Sequence, residues 1–176
     1  MIQEALNMKK ILMLCFAVLL FCQTVAFARQ IPREEIYIGG LSSGCSMGYV
    51  QSVYGTPQKK EWREDRRHPR TVVYYVTYEY SPAFRVIGRT TKGQGYEEEL
   101  DARVYFVIIE DDSLSTPSGI TVGMPYKVVA EMFGEAQKRV PTSNDAFYQY
   151  SFKGLDMYFA VNNDEIITKI YLSPQD

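Results

Sequence analysis

Histidine occurs once in the 176 residues, tryptophan once and cysteine three times. Cys15 and Cys22 fall in an apolar N-terminal segment, and one His with one remaining Cys rules out the usual zinc ligand sets built from those residues. His68 sits in Arg63-Glu-Asp-Arg-Arg-His-Pro-Arg70, where a histidine among arginines reads as a solvated loop residue and not as a general base. There is no phosphate-binding loop, because Gly88, Gly93 and Gly95 have neither the spacing nor a following helix. Acid clusters at Glu97-Glu98-Glu99 and Glu110-Asp111-Asp112 lack the alternating Asp and the Gly of a calcium loop, and read as solvated charge. Basic excess is absent too, with 19 Lys+Arg against 21 Asp+Glu, so nucleic acid is not expected as a partner. Catalysis, metal and cofactor are therefore all unexpected.

Long apolar runs are also missing. The longest, Ile11 to Cys22, follows Lys9-Lys10 and precedes Val25-Ala26-Phe27-Ala28. It is shorter than the roughly 20 residues of a membrane span, and small residues stand at both positions that a signal peptidase reads. Residues 1–28 are thus expected to be a signal peptide, with a mature chain from Arg29 and Met8 as a natural start. Neither Cys15 nor Cys22 follows the small residue that lipid attachment requires. The expected location is periplasmic or extracellular, with no integral membrane span in the mature chain. Cys45 then stands alone: it could be a reactive thiol or form an intermolecular bridge, but its place at a helix entry suits a small buried hydrophobe.

What the chain does have is internal repetition. Gly40-Leu-Ser-Ser-Gly-Cys-Ser-Met-Gly-Tyr-Val-Gln-Ser-Val-Tyr-Gly-Thr-Pro-Gln-Lys-Lys60 returns 79 residues later, without a gap, as Gly119-Ile-Thr-Val-Gly-Met-Pro-Tyr-Lys-Val-Val-Ala-Glu-Met-Phe-Gly-Glu-Ala-Gln-Lys-Arg139. A tandem duplication accounts for this. Each copy predicts a short helix closed by a glycine, Gly55 or Gly134. Ser46 caps the first helix, and Met47, Val50, Val53 and Tyr54 share a face; Pro125 suits the first turn of the second, with Val128, Val129, Met132 and Phe133 as its stripe.

Helices this short need a larger surface to lie on. Period-two alternation predicts strands over 71–80, 83–90 and 102–110, and again over 147–153, 155–161 and 166–172, with a polar loop over 91–101. Short connections favour antiparallel meanders. The expected fold is α+β, two tandem repeats, each a short helix on an antiparallel sheet of three to four strands, with residues 29–112 forming the first repeat and 113–176 the second.

Ile120-Thr-Val-Gly-Met, followed by a short helix ending in Phe-Gly, resembles the Gly-Met-Ser-x-x-x-Val-x-x-x-x-Gly signature of the β-lactamase-inhibitory protein family and of the SmpA/OmlA outer-membrane assembly lipoproteins. The first family is itself a tandem repeat of a helix-plus-sheet unit, and the second carries one such unit. Pro125 departs from the usual capping Ser, and the inhibitor's disulfides and a lipobox are absent. The resemblance implies a helix-on-sheet repeat and an inhibitor-like or envelope role.

A helix shields only one side of a sheet. The alternation puts Tyr75, Thr77, Glu79, Arg85, Arg89, Arg103 and Tyr105 on the other side in the first copy, and Gln149, Tyr158, Lys169 and Tyr171 in the second. Tyr and Arg carry much of the energy of protein interfaces, although such residues also suit ordinary half-exposed strand positions. The functional expectation is an exported, non-enzymatic, inhibitor-like module that binds another exported or envelope protein. A structural part in cell-envelope or outer-membrane assembly is the alternative, and a carboxylate-dependent enzyme a distant third.

Overall fold

A computed structural model describes residues 31–67 and 71–175. The expected signal peptide and His68 lie outside the described residues. After a 3-10 turn at Arg33–Glu35 the elements run α1 (Met47–Tyr54), β1 (Lys59–Asp65), β2 (Val73–Ser81), β3 (Phe84–Thr90), α2 (Tyr96–Asp101), β4 (Arg103–Ile109), α3 (Tyr126–Phe133), β5 (Lys138–Pro141), β6 (Asp145–Phe152), β7 (Leu155–Asn162) and β8 (Ile167–Pro174). The class is α+β. All eight strands form one antiparallel sheet in the order β1-β2-β3-β4-β8-β7-β6-β5. Two separate sheets were expected. They are fused where β4 meets β8, through Val107↔Leu172, Ile108↔Tyr171 and Ile109↔Ile170.

The two matching segments take the same local structure. Gly55 (φ 76°, ψ −157°) and Gly134 (φ 77°, ψ −165°) end α1 and α3. At each helix entry the same three hydrogen bonds tie the chain to the sheet. In the first they run from Gly44 N–H to Val104 O, Val104 N–H to Cys45 O and Met47 N–H to Ala102 O, each 2.8 Å. In the second they run from Gly123 N–H to Ile167 O (2.8 Å), Ile167 N–H to Met124 O (2.9 Å) and Tyr126 N–H to Glu165 O (2.8 Å). Ser46 Oγ accepts from Tyr49 N–H at 3.1 Å, as a cap should. Pro125 is itself the capping residue, one position before the expected first turn.

Both helices press on one face of the sheet. Gly88 makes room for α1, because a Cβ there would stand 2.5 Å from Met47 Cγ. Under α3, Tyr126 hydroxyl meets Tyr150 hydroxyl at 2.9 Å, and Tyr150 in turn donates to Gly134 O at 2.8 Å. Tyr78, Tyr150 and Phe159 are the largest fully buried side chains, joined by Ile36, Ile38 and Leu41 from the N-terminal segment. That segment is held by Glu35, a buried carboxylate that accepts from the Thr116 and Ser118 hydroxyls and from Ser118 N–H.

Several expectations need correction. Strands β1 and β5 were not foreseen, because they are exposed edge strands with charged sequences and no apolar alternation to mark them. The stretch expected as a loop over 91–101 contains α2, which opens directly after Gly95 where no following helix was expected, and whose first turn holds Glu97, Glu98 and Glu99 where the helix dipole favours acids. Glu99 is not solvated: it is buried and accepts from Tyr78 hydroxyl and from Lys60 Nζ at 2.9 Å. Val53 is 48% exposed, so the α1 stripe is narrower than its spacing implied.

Candidate functional site

The face away from α1 and α3 is set by register. One line of directly opposed residues crosses every strand: Lys59, Glu79, Arg85, Ile108, Tyr171, Tyr158, Gln149 and Lys138. A second line, Arg63, Tyr75, Arg89 and Arg103, crosses β1 to β4. All eleven residues that the alternation assigned to it, Tyr75, Thr77, Glu79, Arg85, Arg89, Arg103, Tyr105, Gln149, Tyr158, Lys169 and Tyr171, lie on this face.

A bulge in β4 adds to it. Ile87 pairs with Phe106 but Gly88 pairs with Val104, so Tyr105 is the extra residue. The bulge turns Tyr105 and Phe106 toward the same side. Their rings lie 4.7 Å apart, Tyr105 meets Tyr75 at 5.9 Å, and Phe106 meets Tyr171 at 6.5 Å. Tyr171 in turn touches Phe147 at 6.0 Å and stacks on Tyr158 at 4.4 Å with the planes 7° apart. The result is an aromatic belt that runs from β2 to β6. Its middle forms a shallow depression of about 400 Å³ lined by Ile87, Phe106, Ile108, Phe147 and Tyr171 with Arg85 and Lys169.

The polar groups frame the belt. Glu110 Oε1 accepts from Arg85 Nη2 at 3.2 Å and Lys169 Nζ at 2.6 Å, tying β3 to β8 across the seam. The expectation of a solvated Glu110 is corrected accordingly. Arg63 and Arg89 lie over the rings of Tyr75 and Tyr105 at 5.1 and 5.6 Å. On the other flank Asp156, buried, accepts from Gln149 Nε2 (2.9 Å), Ser151 Oγ (2.6 Å), Tyr158 hydroxyl (3.0 Å) and Gln175 Nε2 (3.0 Å).

Known proteins offer a fold. No protein-family model matches the chain, and neither does any curated protein. A cysteine-rich secretory protein from Staphylococcus aureus has a similar fold, with a TM-score of 0.52 at 9% identity over 83% of this chain. This chain spans 48% of that one. A DUF4309 family protein from Bacillus subtilis gives a TM-score of 0.45 at 12% identity over 83% of this chain and 88% of that one. An extracellular protein containing a SCP domain from Bacillus anthracis gives 0.42 at 8% identity over 74% and 43%.

Burial pushes the Tyr158 hydroxyl up to about 12, with Asp156 reinforcing the shift through their hydrogen bond. The Tyr171 hydroxyl also rises, chiefly through burial. Both phenols stay neutral donors at any physiological pH. Cys45, half-buried against the core, has its thiol pushed up by desolvation, which lowers its thiolate fraction and its reactivity. Among the described residues no helix is long and apolar enough to cross a membrane.

Sequence reasoning overlooked Ile87, Phe106, Ile108 and Phe147 on this face. Ile87 and Phe147 share the parity of Arg85 and Gln149, so the alternation already contained them. Phe106 and Ile108 were hidden by the bulge, which reverses parity partway along β4.

Proposed function

We propose that this chain is an exported, non-enzymatic module that binds another exported or envelope protein through the face its helices leave uncovered. The aromatic belt carries the reading. A solvated sheet face ordinarily alternates to polar residues, whereas here Ile87, Phe106, Ile108, Phe147 and four tyrosines stay half-buried in contact with one another. Large apolar patches with arginine at the rim are the composition of protein interfaces. The signal-like sequence over 1–28 supports export, and an inhibitor-like mode fits a preformed surface that needs no chemical step. We also read the chain as a duplicated helix-on-sheet unit, its halves meeting at β4 and β8. The matched hydrogen bonds at the two helix entries and the paired glycine angles support this, as does the motif shared with the β-lactamase-inhibitory and SmpA/OmlA families.

The test is a photo-cross-linking phenylalanine derivative placed at Phe106, with a control at Tyr49, which is 48% exposed on α1. In envelope extract the Phe106 position is expected to capture a discrete protein that the Tyr49 position does not. Once that protein is identified and purified, Phe106→Ala should weaken its binding about fivefold or more. Capture from Tyr49 alone, or an affinity indifferent to Phe106→Ala, would remove the face from the function.

A further inference from the structure

Arg89 and Arg103 are direct register partners on β3 and β4, and both are exposed. Like charges in opposed positions repel, because their Cβ atoms stand about 5 Å apart. Such a pair is normally relieved by a carboxylate. Among the described residues none ion-pairs with either guanidinium: Asp101, which lines the same depression and whose carboxyl is held below its usual range mainly by Lys92 and only slightly by Arg103, is bonded to Lys92 at 2.9 Å, and Glu110 to Arg85 and Lys169. Arg103 Nη1 makes one long bond, 3.4 Å, to Gly44 O, and Arg89 rests on the Tyr105 ring. The two arginines line a depression of about 550 Å³ whose wall includes Ser43, Thr91 and Tyr105. It adjoins the aromatic belt at Tyr105.

We infer that the Arg89–Arg103 pair is the anion-reading end of the face, and that it takes carboxylates from an acidic segment of the protein partner. This rests on the reading of the face as a binding surface. Two guanidinium forks side by side match carboxylate geometry. The belt beside them selects a peptide over a phosphate polymer, since a polymer of phosphates has nothing apolar to lay on Phe106 and Ile87. Spacing makes the pattern specific. Arg89 and Ile87 are two residues apart on one strand face, roughly 7 Å, so an extended segment running along β3 matches with an acid at one position and a large apolar residue two positions on.

Random decapeptides displayed on phage and selected on the intact chain test this. The selection should enrich Asp or Glu two residues from Phe, Leu, Ile or Tyr. A synthetic copy of the leading peptide, followed by fluorescence anisotropy, should lose fivefold or more in affinity on Arg89→Gln, on Arg103→Gln and on changing its own acid to the amide. Combining the peptide and protein changes should cost little beyond either alone. Both variants should melt at or above the wild-type temperature in low salt, because each removes a repulsion; that readout separates lost recognition from lost fold. Peptides without acids, or an empty selection, would overturn the inference. So would displacement of the peptide by inorganic polyphosphate more readily than by poly-glutamate. Binding that falls with Phe106→Ala but ignores both arginine variants would remove the anion end while leaving the face in place. Indifference to all three substitutions would remove the face itself.

Discussion

Replacing Gly55 and Gly134 separates backbone strain from every other effect. Their angles, φ near +76° with ψ near ±160°, lie in a region that only glycine occupies at low cost. Nothing stands within 4 Å of a Cβ built at Gly55, so Gly55→Ala meets no steric obstacle and its whole penalty is conformational. The expected loss is about 2 kcal/mol for Ala and somewhat more for β-branched Val. Gly134→Ala should cost about the same, because the two residues share one conformation on separate helices, and the double variant should lose about 4 kcal/mol. In a chain of this size each single loss lowers the melting temperature by about 4–8 °C. Thermal unfolding by circular dichroism, with urea titration to give the free energy, measures all three. A rise in stability for Gly55→Ala would refute the reasoning, since that is what an alanine in ordinary backbone conformation does by restricting the unfolded chain. Unequal losses at the two glycines would count against the shared unit.

Gly88→Val should destabilise by about 1–3 kcal/mol, because its Cβ would enter the space of Met47 and lift α1 from the sheet; near-UV dichroism and urea unfolding report it. In alkali, Tyr80 and Tyr158 should ionise near 12, well above the value of about 10 for an exposed phenol, and ultraviolet absorbance of tyrosinate would show the late fraction. Because the folded state holds those protons more tightly than the unfolded chain, their stabilisation is complete below pH about 10 and disappears as pH rises toward 12. A chain whose stability stays flat across that interval would contradict the burial assigned to these rings.

Helices α1 and α3 and the interior strands were legible because burial imposes a period, whereas the short acidic α2 carries no such stripe and was read as a loop. Ser46, Gly55 and Gly134 announce helix ends by chemistry that depends only on neighbours in sequence, and Val76, Tyr78, Val86 and Val107 alternate because one side of each strand is covered. Strand β1 was illegible for the opposite reason. Lys59, Lys60, Glu61, Arg63 and Glu64 are placed by main-chain pairing with β2, with the Lys60–Glu99 ion pair added to it, and main-chain pairing leaves no mark in side-chain pattern. The union of the sheet at β4 and β8 rests on three residue pairs some 60 positions apart, which no local window contains. Of the candidate site, the polar and tyrosine members followed from parity. Its apolar centre at Phe106 and Ile108 did not, since a single inserted residue at Tyr105 reverses parity without altering composition.

Joining the halves through β4 and β8 places β1 and β5 at the two margins of the sheet. One margin is almost entirely charged, and the other is four residues long and ends at Pro141, which has no N–H to offer. Neither invites an added strand, so a partner cannot gain affinity by extending the ladder with its main chain, the mode that tolerates almost any sequence. Under the proposed binding role, selectivity would then come from the partner's side chains. A ligand for such a surface is read residue by residue, and single changes in it should be felt more sharply than they are by proteins that recognise backbone.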